Sequence, residues 1–179
     1  MSSSDRGSRS LRRFGTIGVV AAILALGACS VQPLYGPSNF TDSGAVQATL
    51  TRISVGPVTD RVGQQVRNRV IFQMAGGKEI SNPLYHMTLT VTSRQVGLGI
   101  TTTEASPVYS VIVQATFTVK RVGTEEVLIS GTAAGNASYN YVNQIYANTR
   151  AKLNAEDRAA EQVGNQIAVR VATAVAAGS

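Results

Sequence analysis

Tyr85-His86-Met87-Thr88-Leu89-Thr90-Val91-Thr92-Ser93-Arg94 is the stretch that decides how this chain folds. Successive side chains of a strand point to opposite faces. Tyr85, Met87, Leu89 and Val91 therefore share one face, and His86, Thr88, Thr90, Thr92 and Arg94 share the other. The first set is apolar and seeks a core; the second carries hydroxyls and charge that suit water. A sheet with one buried and one solvated face is predicted.

The same division recurs downstream. Tyr109, Val111, Val113, Ala115, Phe117 and Val119 alternate with Ser110, Gln114, Thr116, Thr118 and Lys120, and threonine is well tolerated on a pleated, solvated surface. Gly123-Thr124 then marks a turn that favours an antiparallel hairpin into a strand over Glu126–Ala137. The small residues late in that strand imply a bend or a close approach by another element.

Upstream, Thr49–Val55 alternates around Ile53 and Val55 and is closed by Gly56-Pro57, which predicts a short first strand. The period changes over Asp60–Ala75, where Val62, Val66, Val70 and Met74 recur at i+4. Thr59 or Asp60 can cap this helix, and Gly76-Gly77 can end it. From Asn148 an Ala-rich, 3.6-periodic segment places Leu153, Ala160, Val163, Ile167, Val171 and Ala174 on one stripe, with Gly164 a blemish in it.

The predicted order is β-α-β-β-β-α. This implies an α+β fold: about four strands in a mixed or antiparallel sheet, with two helices packed on its apolar face.

The N-terminus reads differently. Arg6, Arg9, Arg12 and Arg13 precede an apolar run over Thr16–Leu26, which at 1.5 Å per residue reaches roughly 17 Å, short of the ~30 Å hydrocarbon core. This is the pattern of an export signal, not of a spanning helix. Leu26-Gly27-Ala28-Cys29 then resembles the bacterial lipobox, in which the cysteine thiol accepts diacylglycerol. Residues 1–28 are thus expected to be a lipoprotein signal peptide, 29–45 the lipidated Cys29 with an extended Pro/Gly-containing tether, and 46–179 a single periplasmic domain. Ser30 after the cysteine suggests sorting to the outer membrane.

Cys29 is the only cysteine, which excludes an internal disulfide framework. The full-chain charge of +6 overstates the mature part, because residues 1–28 hold four Arg and one Asp, and about +3 remains. Without Lys/Arg clusters or Trp, that balance argues against a nucleic-acid partner.

Catalytic and metal-binding patterns are not found. His86 is the single histidine and its neighbours on the strand face are threonines, so no metal-ligand cluster forms around it. No Gly-x-Ser-x-Gly elbow is present. Glu125-Glu126 sits at a turn, and Glu156-Asp157 is read as opening the last helix, where negative charge suits the dipole. Gly76-Gly77-Lys78 lacks the remaining residues of a phosphate loop. Neither a cofactor nor an enzyme activity is expected. Arg94, Lys120 and Arg121 lie at strand ends. If they converge, their charge-assisted hydrogen bonds suit an anionic glycolipid such as lipopolysaccharide; the alternative is solubilising strand-end charge.

Cys29-Ser30-Val31-Gln32-Pro33-Leu34-Tyr35-Gly36 resembles the Cys-Gly-Phe-x-Pro-Leu-Tyr-Gly start of the LPS-assembly lipoprotein LptE family of alphaproteobacterial type, with Ser30 and Val31 in place of Gly and Phe. The order of elements and the closing Ala-rich helix extend the resemblance over the mature chain. It implies a non-catalytic plug, lipid-anchored at the periplasmic face of the outer membrane. Such a plug sits inside an LptD-type β-barrel, helps it assemble and helps deliver lipopolysaccharide to the outer leaflet. Two alternatives share much of this pattern: an auxiliary lipoprotein of a lipid-trafficking ABC transporter, and an anchored periplasmic enzyme.

Overall fold

A computed structural model of the chain describes residues 41–78, 80–98 and 107–178. The elements run α1 (Thr41–Leu50), β1 (Ile53–Val55), α2 (Arg61–Ala75), β2 (Tyr85–Leu98), β3 (Val108–Arg121), β4 (Val127–Asn140) and α3 (Ile145–Ala177). The signal segment, Cys29 and the tether as far as residue 40 lie outside the described residues.

The four strands form one sheet in the order β1-β2-β3-β4. β1 is parallel to β2, pairing Ile53 with Tyr85 and Val55 with Met87, and the other pairs are antiparallel. The class is therefore α+β, as the predicted order of elements implies, and of the mixed and antiparallel pairings left open the sheet is mixed. Met87, Leu89, Val111, Val113, Ala115, Phe117, Val119, Ala133 and Ala137 are all buried on one face, and the helices pack against it. The even-numbered residues between them are mostly exposed.

α2 is set by the signals read in the sequence. Asp60 accepts from the Gly63 amide at 2.8 Å as N-cap, and Gly76 ends the helix in the left-handed conformation (φ 62°) with its N–H donating to Phe72 O. Val62, Val66, Val70 and Met74 are the buried stripe.

Three expectations need correction. A third helix, α1, occupies residues predicted to be the end of the tether and the start of the first strand. Val46 and Leu50, four residues apart, both pack on the core, and Gln47 Nε2 donates to Met74 O at 3.0 Å near the end of α2. This anchorage outweighs the weak alternation of Thr49–Val55, and β1 shrinks to three residues. The last helix begins at Ile145, not Asn148. Its first-turn residues Ile145 and Tyr146 are 86% and 78% exposed, an apolar pair facing outward that hides the helical period. Glu156 and Asp157 consequently lie in mid-helix, where both pair with Arg61 at the start of α2, Asp157 at 2.7 Å.

Gly164 marks the crossing of α2 and α3. A Cβ there would lie 2.7 Å from Arg69 Cβ and 3.3 Å from Val66 O, so only hydrogen fits between the helices. Gly135 has the same role between β4 and α3, where an added Cβ would meet Ala159 O at 2.8 Å. The small late residues of β4 are thus a seat for α3.

Candidate functional surface

The functional surface begins with what the helices leave uncovered. Thr88, Thr90 and Thr92 on β2, Gln114 and Thr116 on β3, and Ser130 and Thr132 on β4 are exposed on the face opposite the core. Thr116 Oγ1 lies 3.4 Å from Thr132 Oγ1, and Thr92 Oγ1 reaches Gln114 O at 3.5 Å. The hydroxyls bond weakly across the strands, so most of their capacity remains available to water or to a polar partner.

At the Leu98 end of this face the hydroxyls give way to a shallow depression lined by Val96, Leu98, Ile112 and Asn136. Leu98 is 46% exposed.

Arg94, Lys120 and Arg121 do not converge. Lys120 pairs with His86 and Arg94 with Ile112, so eight residues of β2, about 26 Å at strand rise, separate the two. Arg121 faces the other side of the sheet from Lys120, with its guanidinium carbon 6.0 Å over the Tyr85 ring. Each of the two neighbours has its own carboxylate: Lys120 Nζ is 2.6 Å from Glu125 and Arg121 Nη1 is 3.4 Å from Glu126. The Lys120 hydrogen bond lowers the Glu125 carboxyl below its ordinary value. β2 runs on to Leu98, so Arg94 is not at a strand end, and antiparallel pairing sets it far along the sheet from the Tyr85 end where Lys120 and Arg121 lie.

His86 lies exposed on the hydroxyl face, and its Nδ1 is 3.0 Å from Ser54 Oγ across the parallel β1–β2 pair. Ser54 Oγ also bonds Tyr85 O at 3.2 Å, and among the described residues no carboxylate holds the imidazole from its other side. The contact is a cross-strand hydrogen bond at a sheet margin. Next to it, between β1 and α2, a groove of about 520 Å³ is lined by Ser54, Arg67, Ile71, Phe72, Lys78 and Ile80.

The sheet margins carry polar groups that the sequence reading passed over. Along β4, Arg170 Nη1 donates to Thr132 O (2.6 Å), Gln166 Nε2 to Ala134 O (3.0 Å) and Arg158 Nη2 to Ser138 O (2.9 Å), while Gln162 Oε1 accepts from Asn136 N (3.2 Å). Four helix residues advance about 6 Å and two strand residues about 6.7 Å, so the two rows stay in step over four rungs. The row 158, 162, 166, 170 is visible in the sequence as long polar residues at i+4, but nothing there says that they face a strand. At the other margin Arg67 Nε and Nη2 donate to Val55 O (3.3 and 3.2 Å), and Nε also to Gly56 O (3.0 Å).

This fold recurs among solved bacterial lipoproteins. A protein assigned as a lipoprotein from Caulobacter crescentus is similar with a TM-score of 0.64 and 19% identity, covering 77% of this chain and 99% of its own. A minor lipoprotein from Acinetobacter baumannii (TM-score 0.52, 15% identity) covers 68% of this chain and 88% of its own. Rare lipoprotein B from Shewanella oneidensis (TM-score 0.51, 17% identity) covers 68% and 92%. At these identities the likeness is one of fold. No protein-family profile matches the chain, and no curated protein matches its sequence.

Proposed function

We propose that this chain is an outer-membrane lipoprotein, held through Cys29, that plugs and assists the assembly of an LptD-type β-barrel. In that complex it helps deliver lipopolysaccharide to the outer leaflet, and it catalyses no reaction itself.

The observation that carries this reading is the uncovered hydroxyl face of a sheet whose other face carries the packed core. A plug in a water-filled lumen needs a rigid body with a broad polar surface, and the lumen-facing side of such barrels is polar. The lipobox at Leu26–Cys29, the Pro33-Leu34-Tyr35-Gly36 segment and the lipoprotein character of proteins with this fold support the same reading. Arg94 lies too far from Lys120 and Arg121 to share one headgroup with them, so lipopolysaccharide delivery is assigned to the complex and not to those three cations as one cluster.

The test is recovery of the C-terminally tagged chain from detergent-solubilised outer membranes. A near-stoichiometric large β-barrel is the expected companion. Inner-membrane transporter subunits in its place would assign the chain to a lipid-trafficking transporter, and recovery without any companion would remove the plug reading.

A further inference from the structure

The margins of this sheet are closed at β4 and at β1 but open along β2. β1 accompanies β2 only as far as Met87, because Gly56-Pro57 follows at once. Met87 O accepts from Gly56 N at 2.9 Å, which fixes the parity: odd-numbered residues of β2 turn their N–H and C=O away from β3. Leu89, Val91, Ser93, Gln95 and Gly97 therefore present a row of outward donors and acceptors that no strand or side chain among the described residues meets. From Thr92 to Leu98 the strand is also exposed on both faces, so among the described residues nothing on either side obstructs an added strand.

Proteins usually blunt such an edge, and this one does so elsewhere with the α3 row on β4 and with Arg67 on β1. We propose that the β2 edge from Leu89 to Gly97 receives an extended segment of a partner polypeptide by strand addition, with a carboxylate of that segment beside Arg94. Backbone hydrogen bonds supply the contact and side chains at alternate positions supply the selection.

Charge chooses the partner. Arg94 is exposed and has no ion-pair partner among the described residues, and β2, β3 and β4 contain no acidic residue. A second copy fits poorly. Antiparallel self-pairing about Ser93 or Gln95 sets the two Arg94 side chains diagonally across the new pair, within about 7–8 Å. Pairing about Thr92 or Val91 separates them, but it drives Gly97 or Gln95 against the position that β1 already holds beside Met87 and keeps at most Leu89 to Gln95 in register. An acidic, extended segment meets neither obstacle. The proposal does not depend on the barrel assignment, because a failure to bind such a segment would leave barrel recovery untouched.

The probe is a fluorescein-labelled peptide of about nine alternating Thr and Val residues with Glu at its centre, beside a twin with Lys there. Both are titrated by fluorescence anisotropy against the full chain in detergent micelles. The Glu peptide is expected to bind about fivefold more tightly than its twin, the factor a cross-strand charge pair supplies. Arg94→Glu, a change at an exposed site that leaves the core untouched, should reverse the order. Ser93→Pro removes only an outward N–H and should abolish binding of both. Equal affinities, or binding unchanged by Ser93→Pro, overturn the proposal. Sedimentation showing a dimer that Ser93→Pro dissociates would assign the edge to a second copy and overturn it as well.

Discussion

Gly164 shows how much a single atom decides where two helices cross. Its neighbours are the backbone-fixed Cβ of Arg69 and the carbonyl of Val66, neither of which can swing aside. Gly164→Val is expected to lower unfolding free energy by about 2–3 kcal/mol, since overpacking outweighs the small gain in helix propensity. Urea denaturation at constant m-value would measure it. The i+4 spacing around Gly164 was legible in the sequence, but the glycine reads there as a defect, because the partner that needs the space is nearly a hundred residues away. Tyr139 is a second residue whose environment matters. Burial raises its phenol above the ordinary value of 10, and the neighbouring phenols of Tyr109 and Tyr141, stacked at 5.8 Å from Tyr109 on one side, add to the shift. The folded state therefore holds this proton to higher pH than the unfolded chain does. Its contribution is complete below about pH 10 and is lost as pH rises through the folded value. Tyr139→Phe should flatten the alkaline limb of a stability-versus-pH curve above pH 10; a slope equal to wild type there would show that Tyr139 does not cause it.

At the scale of elements, α3 both covers the sheet and guards its edge. Its buried residues Ala155, Ala159, Ala160, Val163, Ile167 and Val171 fill the space above β3 and β4, and the Arg158-Gln162-Gln166-Arg170 row beside them closes β4. The double change Gln162→Ala, Gln166→Ala removes two rungs at a net cost of about 0.5–1.5 kcal/mol each. Faster amide exchange at Asn136, whose N–H loses its acceptor, is the local signature, and self-association that grows with concentration is the global one. The strands and α2 were legible because their apolar periods are long and their caps are chemically explicit. α1 and the first turn of α3 were not. For α1 a contact distant in sequence sets the conformation, Gln47 with Met74; for α3 it is a side-chain clasp six residues long, Asn148 on Val142, that no apolar period shows. The buried Asn148 amide grips Val142 N at 2.8 Å and Val142 O at 2.7 Å, holding the chain against the helix start. Asn148→Ala should cost about 1–3 kcal/mol by leaving both backbone groups without their partner, read from the midpoint of thermal unfolding.

At the scale of the molecule, one core serves every element among the described residues, so the two faces of the sheet differ in what they contribute. The packed face, with Val113, Val119 and Phe117 buried against α3, holds the fold together. The hydroxyl face adds little, because its threonines are solvated in the folded and unfolded chain alike and make only long bonds, Thr116 to Thr132 at 3.4 Å and Thr92 to Gln114 O at 3.5 Å. Stability and partner recognition should therefore separate. Substituting Thr88, Thr90, Thr92 and Thr116 together by Lys keeps the strands and is expected to shift unfolding free energy by no more than about 1–2 kcal/mol, mainly through like charges on adjacent strands. Phe117→Ala, on the opposite face, should cost about 3–5 kcal/mol. If the open face is the surface that meets a barrel lumen, the four-lysine variant remains folded by circular dichroism yet no longer recovers the barrel from solubilised membranes. Undiminished recovery with all four lysines in place would move the partner surface off this face and leave the β2 edge as the surface to test next.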